Sequence, residues 1–337
     1  MASAAADARI AALQRRTLIV LSLVQVAGGV GFFLGIAVIA LLARDLSGSD
    51  ALSGLPPALG IAASALAAAP VSAWMARHGR RPGLVAGHLC GATGCVVILV
   101  AAGIDSFFLL CAGTAAFGLG NTSNLLARYA AADLSRPERR GRAISLVLLA
   151  TTLGAVAGPN LASATAPLGD LVGVPGLAGP FLVSTFAFLL AAGGLTAFLR
   201  PDPLLVARDE PSLAAGDPAA SGVASAASAV VAWPPLARVA LGTLVMVNVA
   251  MIAIMTMTPL HLDHAGQSLT VVGIVISLHV MAMFLPSPLT GWLTDRVGRV
   301  PLIAAAAVTL IAAGLLGALS SGDQAVTVTI ALVLLGL

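Results

Sequence analysis

Ten apolar runs separated by short polar breaks constrain this chain more than any other feature. They lie at about 17–43, 51–74, 82–103, 107–129, 143–165, 177–199, 236–260, 269–292, 300–320 and from 325 to Leu337. About 20 apolar helical residues cross a hydrocarbon core about 30 Å thick. Nine runs meet that length. The last, Val326 to Leu337, is still apolar at its final residue and too short, so the chain reads as truncated. Of 337 residues, 59% are hydrophobic and 9% charged, against about 25% charged in a soluble domain. A single soluble globule is excluded, and the expected class is an all-α polytopic membrane protein.

All 17 basic residues are arginine, which removes the lysine chemistry of phosphate-binding loops and Schiff bases. The net charge of +3 comes from scattered loop arginines, so a nucleic-acid footprint is not expected. The arginines also give a direction, because cytoplasmic segments retain positive residues. With the N-terminus inside, sixteen arginines fall in inner segments and Arg44 alone falls outside. Trp74, Trp233 and Trp292 lie at the inner ends of their runs, where interfacial indoles collect. The first run is too long for a signal peptide and reads as a retained span. Cys90, Cys95 and Cys111 lie within apolar runs and read as packing residues, with no metal or other cofactor expected.

The break from Pro201 to Pro235 contains six prolines among Ala, Ser and charged residues, the composition of a flexible linker. The expected organisation is a cytoplasmic N-terminus (1–16), a six-helix half (17–199), a cytoplasmic linker (200–235) and a second half (236–337) ending in its fourth helix.

A short basic turn occurs twice. Ser72 to Pro82 contains Ala76-Arg77-His-Gly79-Arg80-Arg81, and Gly291 to Pro301 contains Asp295-Arg296-Val-Gly298-Arg299, 219 positions later. Each combines a glycine for a sharp reversal, arginines that stay in water and a proline that opens the next helix. The positive-inside rule predicts arginines, but not the same spacing twice.

On these residues the chain resembles the major facilitator superfamily of secondary transporters, whose loops between helices two and three and between eight and nine carry G-x-x-x-D-R-x-G-R-R. The second copy matches at Gly291, Asp295, Arg296, Gly298 and Arg299, with Val300 in the last place. The first matches at Arg77, Gly79, Arg80 and Arg81, with Ser72 and Ala76 replacing the glycine and aspartate. The resemblance implies a fold of two six-helix halves and an inner gate controlled by these residues, with the first latch altered at Ala76. Gly154-x-x-x-Gly158-Pro159 in the fifth span is similar to a motif of exporters in this superfamily. Its glycines share a face and permit close backbone approach, and the proline bends the span. The arginine of the proton-antiporter pattern in the fourth span is replaced by Thr114, which weakens proton antiport.

Such transporters hold substrate near the bilayer midplane between the halves. Thr114, Phe117, Asn121, Asn124 and Arg128 fall on one helical face by steps of three and four, making that stripe the best cavity-facing candidate, against the alternative that its asparagines join helices by hydrogen bonds while Arg128 reaches to the inner surface. Gln25, Asn160, Asn248 and His279 also lie well inside their spans and are candidate substrate contacts, against the alternative that they join helices by hydrogen bonds. No aspartate or glutamate falls in mid-span, and His279 reads as the only titratable group near a midplane. His261, Asp263 and His264 form a three-donor loop, weak for a metal site. Six methionines in spans seven and eight read as core filling, with an accommodating pocket as the alternative.

The leading expectation is an alternating-access secondary transporter in a bacterial cytoplasmic membrane, exporting an apolar or amphipathic small molecule as a monomer. Its partners would be the lipid bilayer, the substrate and, as a candidate coupling ion, protons. An uptake or facilitated-diffusion permease is the runner-up, and an inactive fragment or assembly partner is a third reading. An enzyme is not expected, since neither H-E-x-x-H nor G-x-S-x-G occurs.

Overall fold

The computed structural model describes residues 2–136, 139–209, 234–286, 289–290, 293, 296–320 and 324–337. Among these, α1 (Ala2–Ser47), α2 (Leu55–His78), α3 (Arg80–Gly103), α4 (Phe107–Ala130), α5 (Arg140–Asn160) and α6 (Pro180–Phe198) are followed by α7 (Pro235–His264), α8 (Leu269–Phe284), α9 (Arg299–Leu319) and α10 (Ala325–Gly336). No strand occurs among the described residues. Helices satisfy every backbone donor internally, as a chain crossing hydrocarbon requires. Much of the linker expected over 200–235, together with Trp233, Gly291, Trp292 and Asp295, lies outside the described residues.

Three boundaries depart from the apolar runs by five residues or more, each for a local reason. The first helix starts at Ala2 rather than near Thr17, because the alanine-rich segment before it has high helix propensity and continues the same helix. The fifth stops at Asn160 instead of 165, directly after Pro159. A proline removes a backbone donor, and the chain continues in short turns at Ala162–Thr165 and Leu168–Leu171. The eighth ends at Phe284 instead of 292. Leu285 keeps helical dihedrals, but Pro286 has no N–H to donate to Ala282, so the helical hydrogen bonding is interrupted there.

Seven of these helices are long and apolar enough to cross a membrane, and α8 and α10 are shorter apolar ones; α4 is in neither group. Its polarity is used inside the bundle. Successive helical residues point about 100° apart, so Thr122, Ser123 and Asn124 reach three neighbours. Thr122 Oγ1 donates to the Ser64 carbonyl of α2 (3.1 Å), Ser123 Oγ to the Leu84 carbonyl of α3 (3.1 Å), and Asn124 Nδ2 to the Gly28 carbonyl of α1 (3.2 Å). All three residues are buried. Around this post α1 packs on α5 and α6, and α3 packs on α4 and α6; α8 joins the group through α5 and holds α10. Phe117 of α4 sits at the centre of the largest core cluster, its ring 5.3 to 6.0 Å from those of Phe32, Phe181 and Phe188.

The repeated basic turn is repeated in backbone geometry. Gly79 has φ 98° and ψ 167°, and Gly298 has φ 94° and ψ 167°. A side chain is strained at such a φ, so glycine at both places lets the chain reverse and restart a helix immediately. These turns define one end of the bundle, called here the arginine end.

Candidate functional site

The first six helices and the last four meet differently at the two ends. At the end opposite the arginines, Arg44 Nη1 at the close of α1 donates to Asp263 Oδ2 of α7 at 2.6 Å. Alongside, His264 Nε2 lies 3.3 Å from Asp50 Oδ2. The His261-Leu-Asp263-His264 segment therefore serves as a clasp. Asp263 and His264 are paired across the molecule, while His261 lines a separate 450 Å³ cavity among α7, α9 and α10. No cluster of three metal-ligating side chains is present among the described residues. Arg44 carried its signal in the sequence as the one arginine outside the inner segments, but its partner 219 residues away could not be read from local pattern.

Midway, α5 crosses both groups on small residues. A Cβ added to Gly154 would lie 2.6 Å from the Val26 carbonyl oxygen, and one on Gly158 would lie 2.8 Å from the Leu34 nitrogen. Only hydrogen fits at these positions, so Gly154 and Gly158 bring the α5 backbone against α1. The other side of the motif meets α8: a Cβ on Gly273 would lie 3.0 Å from the Pro159 carbonyl carbon. Asn160 Nδ2 donates to Ser277 Oγ at 2.7 Å, and that hydroxyl donates to the Val156 carbonyl at 2.8 Å. Asn160 is therefore a helix-crossing residue.

Towards the arginine end α5 and α8 part, leaving a cavity of 1220 Å³. Its walls are the start of α1, Leu134, Ser135, Arg136 and Arg139 before α5, the first three turns of α5, and Phe284 and Leu285 from the close of α8. Arg15, Arg136, Arg139 and Arg142 line it beside Leu18, Leu146, Leu149 and other apolar residues, with no acidic residue among the described lining. Gln14 Nε2 donates to the Ala131 carbonyl (2.8 Å) and to Ser135 Oγ (2.7 Å), tying α1 to the facing wall.

The basic turn at this end is latched within the first six helices and their following segment. Arg80 makes a two-pronged ion pair with Asp133, Nε to Oδ2 at 2.9 Å and Nη2 to Oδ1 at 3.0 Å. Asp202 accepts from the backbone N–H groups of Arg80 (3.1 Å) and Arg81 (2.7 Å), capping α3. Arg208 donates to the carbonyl of Ala76, the position where the family aspartate would stand. Asp133, Asp202 and Arg208 were not among the residues singled out from sequence, because no motif spans their separations.

The midspan candidates do not gather around the cavity. Gln25 donates from Nε2 to the Asn124 carbonyl (3.0 Å), and both side chains are buried where α1 meets α4. Thr114 donates to its own helix at the Leu110 carbonyl and packs against Gly60. Asn121 and Arg128 are half-buried. Asn248 is exposed on α7 and donates to Leu244 of its own helix. His279 is buried and donates from Nδ1 to the Leu332 carbonyl of α10 at 2.7 Å. Of the expected cavity-facing stripe on α4, Thr114, Phe117 and Asn124 are thus turned into the bundle, Asn124 by its hydrogen bond to α1 and Phe117 by its aromatic packing.

His279 is also joined by a second intramembrane histidine. His88 of α3 is fully buried, with Nδ1 donating to the Leu84 carbonyl at 2.8 Å. Its Nε2 and Asn124 Oδ1 both face Gly28, where an added Cβ would lie 2.9 and 2.5 Å from them. The reading of His279 as the one midspan titratable group is corrected. His88 lies two turns inside its run, and its place among apolar residues was the available signal.

Comparison with known proteins agrees with this geometry. The Major Facilitator Superfamily profile matches residues 19–337. The chain is 43% identical over 326 residues to "Uncharacterized MFS-type transporter YddS" of Bacillus subtilis (strain 168), covering 96% of this chain and 74% of that one. It is 29% identical over 310 residues to "Riboflavin transporter RfnT" of Brucella anthropi, covering 92% and 74%. Among solved structures, the xylose transporter XylE from E. coli in a partially occluded inward-open conformation superposes with a TM-score of 0.64 at 16% identity, covering 95% of this chain and 81% of that one.

Proposed function

Because this chain belongs to the Major Facilitator Superfamily, whose members are multi-pass membrane transporters and not enzymes, we propose that it exports an amphipathic small molecule by alternating access. The observation that carries the proposal is the asymmetry about the α5 crossing. An ion-paired clasp closes one end, and a cavity built from both helix groups lies at the other. Rocking about a crossing of small residues would open the clasp as the cavity closes. Export is favoured by the Gly154, Gly158 and Pro159 motif, which occupies that crossing on both of its sides. The arginine end is assigned to the cytoplasm of a bacterial inner membrane by the positive-inside rule, so the N-terminus is cytoplasmic and the cavity loads from within.

The riboflavin transporter relative supports a substrate that combines an apolar body with polar groups. The test is retention of a lipophilic fluorescent dye, and separately of riboflavin, in cells expressing the natural full-length product. Lower retention that is abolished by a proton-gradient uncoupler is expected. Higher retention on expression would reverse the direction and establish an uptake permease.

A further inference from the structure

The cavity at the arginine end carries a charge pattern that identifies its occupant more closely. We propose that it binds the anionic head of an amphiphile, with phosphate or carboxylate held by Arg15, Arg139 and Arg142 and the apolar body lying along Leu146, Leu149 and Phe284. This deepens the export reading by naming a ligand class for the same cavity.

Three observations support it. First, all three arginines line the cavity and are exposed, and none of their guanidinium groups makes a hydrogen bond or ion pair among the described residues; Arg136, which also lines it, has interactions of its own. A guanidinium stays charged at any physiological pH. Several facing one space, with no acid among the described lining, repel one another, and an anion relieves that repulsion while taking two-pronged hydrogen bonds. Second, the facing walls are tied together. The Gln14 bonds to Ala131 and Ser135 hold the helix bearing Arg15 against the segment bearing Arg139, so the cationic surface does not have to be assembled by the ligand. Third, the charge is one-sided: away from the arginines the wall is leucine, isoleucine and phenylalanine. A small inorganic anion would leave that surface wet, whereas an alkyl or aromatic body removes it from water at about 25 cal/mol per Å².

The chemistry fits a transported solute or an anionic lipid of the adjoining leaflet. The test uses the purified full-length protein in neutral detergent, with tetradecyl phosphate and tetradecyl phosphocholine as probes of equal tail and different charge. Binding of the phosphate about tenfold tighter is expected, equivalent to one extra charge-assisted contact. The triple variant Arg15→Gln, Arg139→Gln, Arg142→Gln should bind both probes alike. Leu149→Trp, which keeps every charge and fills the apolar wall, should weaken both. Equal affinity for the two probes in the natural protein, or undiminished phosphate preference in the triple variant, overturns the proposal. Competition by phosphatidylglycerol but not phosphatidylcholine assigns the site to a lipid; phosphate-probe binding without such competition assigns it to a solute. Binding does not require transport, so selective binding without dye or riboflavin export would overturn the export reading and leave this inference standing.

Discussion

The two ends of this molecule use ion pairs for opposite purposes. At the arginine end Arg80 and Asp133 pair within one helix group, with side chains 13% and 5% exposed. At the opposite end Arg44 and Asp263 pair across the two groups, with side chains 24% and 35% exposed. A pair buried in one body costs several kcal/mol to break. A more exposed pair contributes about 1 kcal/mol or less. That is the strength the proposed alternating access would require of a contact remade in each cycle. On the proposed alternating access, depth of burial separates what holds a half together from what would gate it.

Asp133→Asn should give the largest effect. It removes the carboxylate charge that takes both prongs of Arg80 in a largely buried place, a loss of roughly 3 kcal/mol of stability. Thermal unfolding of the purified protein should show a clear fall in midpoint, with no change in access to the clasped end. Asp202→Ala comes next. It strips the cap from two backbone donors of α3, and helix caps contribute about 1 to 2 kcal/mol. A lower unfolding midpoint is again expected, smaller than for Asp133→Asn. If either variant instead changed only access at the far end, the division between holding and gating would fail.

The clasp should respond in the reverse sense. Asp263→Asn removes about 1 kcal/mol from the closed form after allowance for partial exposure, which shifts the conformer ratio about fivefold. Met257 packs over Gly54 beside the clasp. Cysteine placed at 257, in a chain whose Cys90, Cys95 and Cys111 are replaced, should be labelled several times faster in the variant at nearly unchanged stability. The exchange Arg44→Asp with Asp263→Arg should return the rate towards that of the natural protein.

How much of this was legible beforehand follows from the range of each interaction. Helices came through clearly, because apolar run length is a local property; the misjudged ends were those at Pro159 and Pro286, where one residue outweighs the run. The basic turn was visible because Gly79 and Gly298 impose the same backbone at two places. Among the polar residues of α4, Asn124 was noticed and takes the helix-joining alternative, whereas Thr122 and Ser123 were not singled out. A helical face can be computed from spacing, whereas which neighbour covers it depends on packing, and Thr122, Ser123 and Asn124 go to three different helices. His88 escaped for a related reason: only the fold brings it to Asn124 and Gly28. Asp133 looked like an ordinary loop acid, and Asp263 like one donor of a weak three-donor loop, until the fold supplied Arg80 and Arg44.

The weakest expected effect belongs to the second contact of the clasp, and it tests whether the clasp is one pair or two. His264 and Asp50 have side chains 51% and 56% exposed at 3.3 Å. Water screens such a pair strongly, and it is an ion pair only while the imidazole is protonated. His264→Gln should therefore change labelling at position 257 by less than about twofold at neutral pH, where exposed pairs contribute a few tenths of a kcal/mol. The same measurement in the Asp263→Asn background is the sharper one. Additive effects would mean that the two contacts act independently, as expected for an exposed pair beside a stronger one. A coupled loss much larger than the sum would mean that Arg44, Asp263, Asp50 and His264 close as a single network, and the clasp would then resemble the buried latch at the arginine end more than its exposure implies.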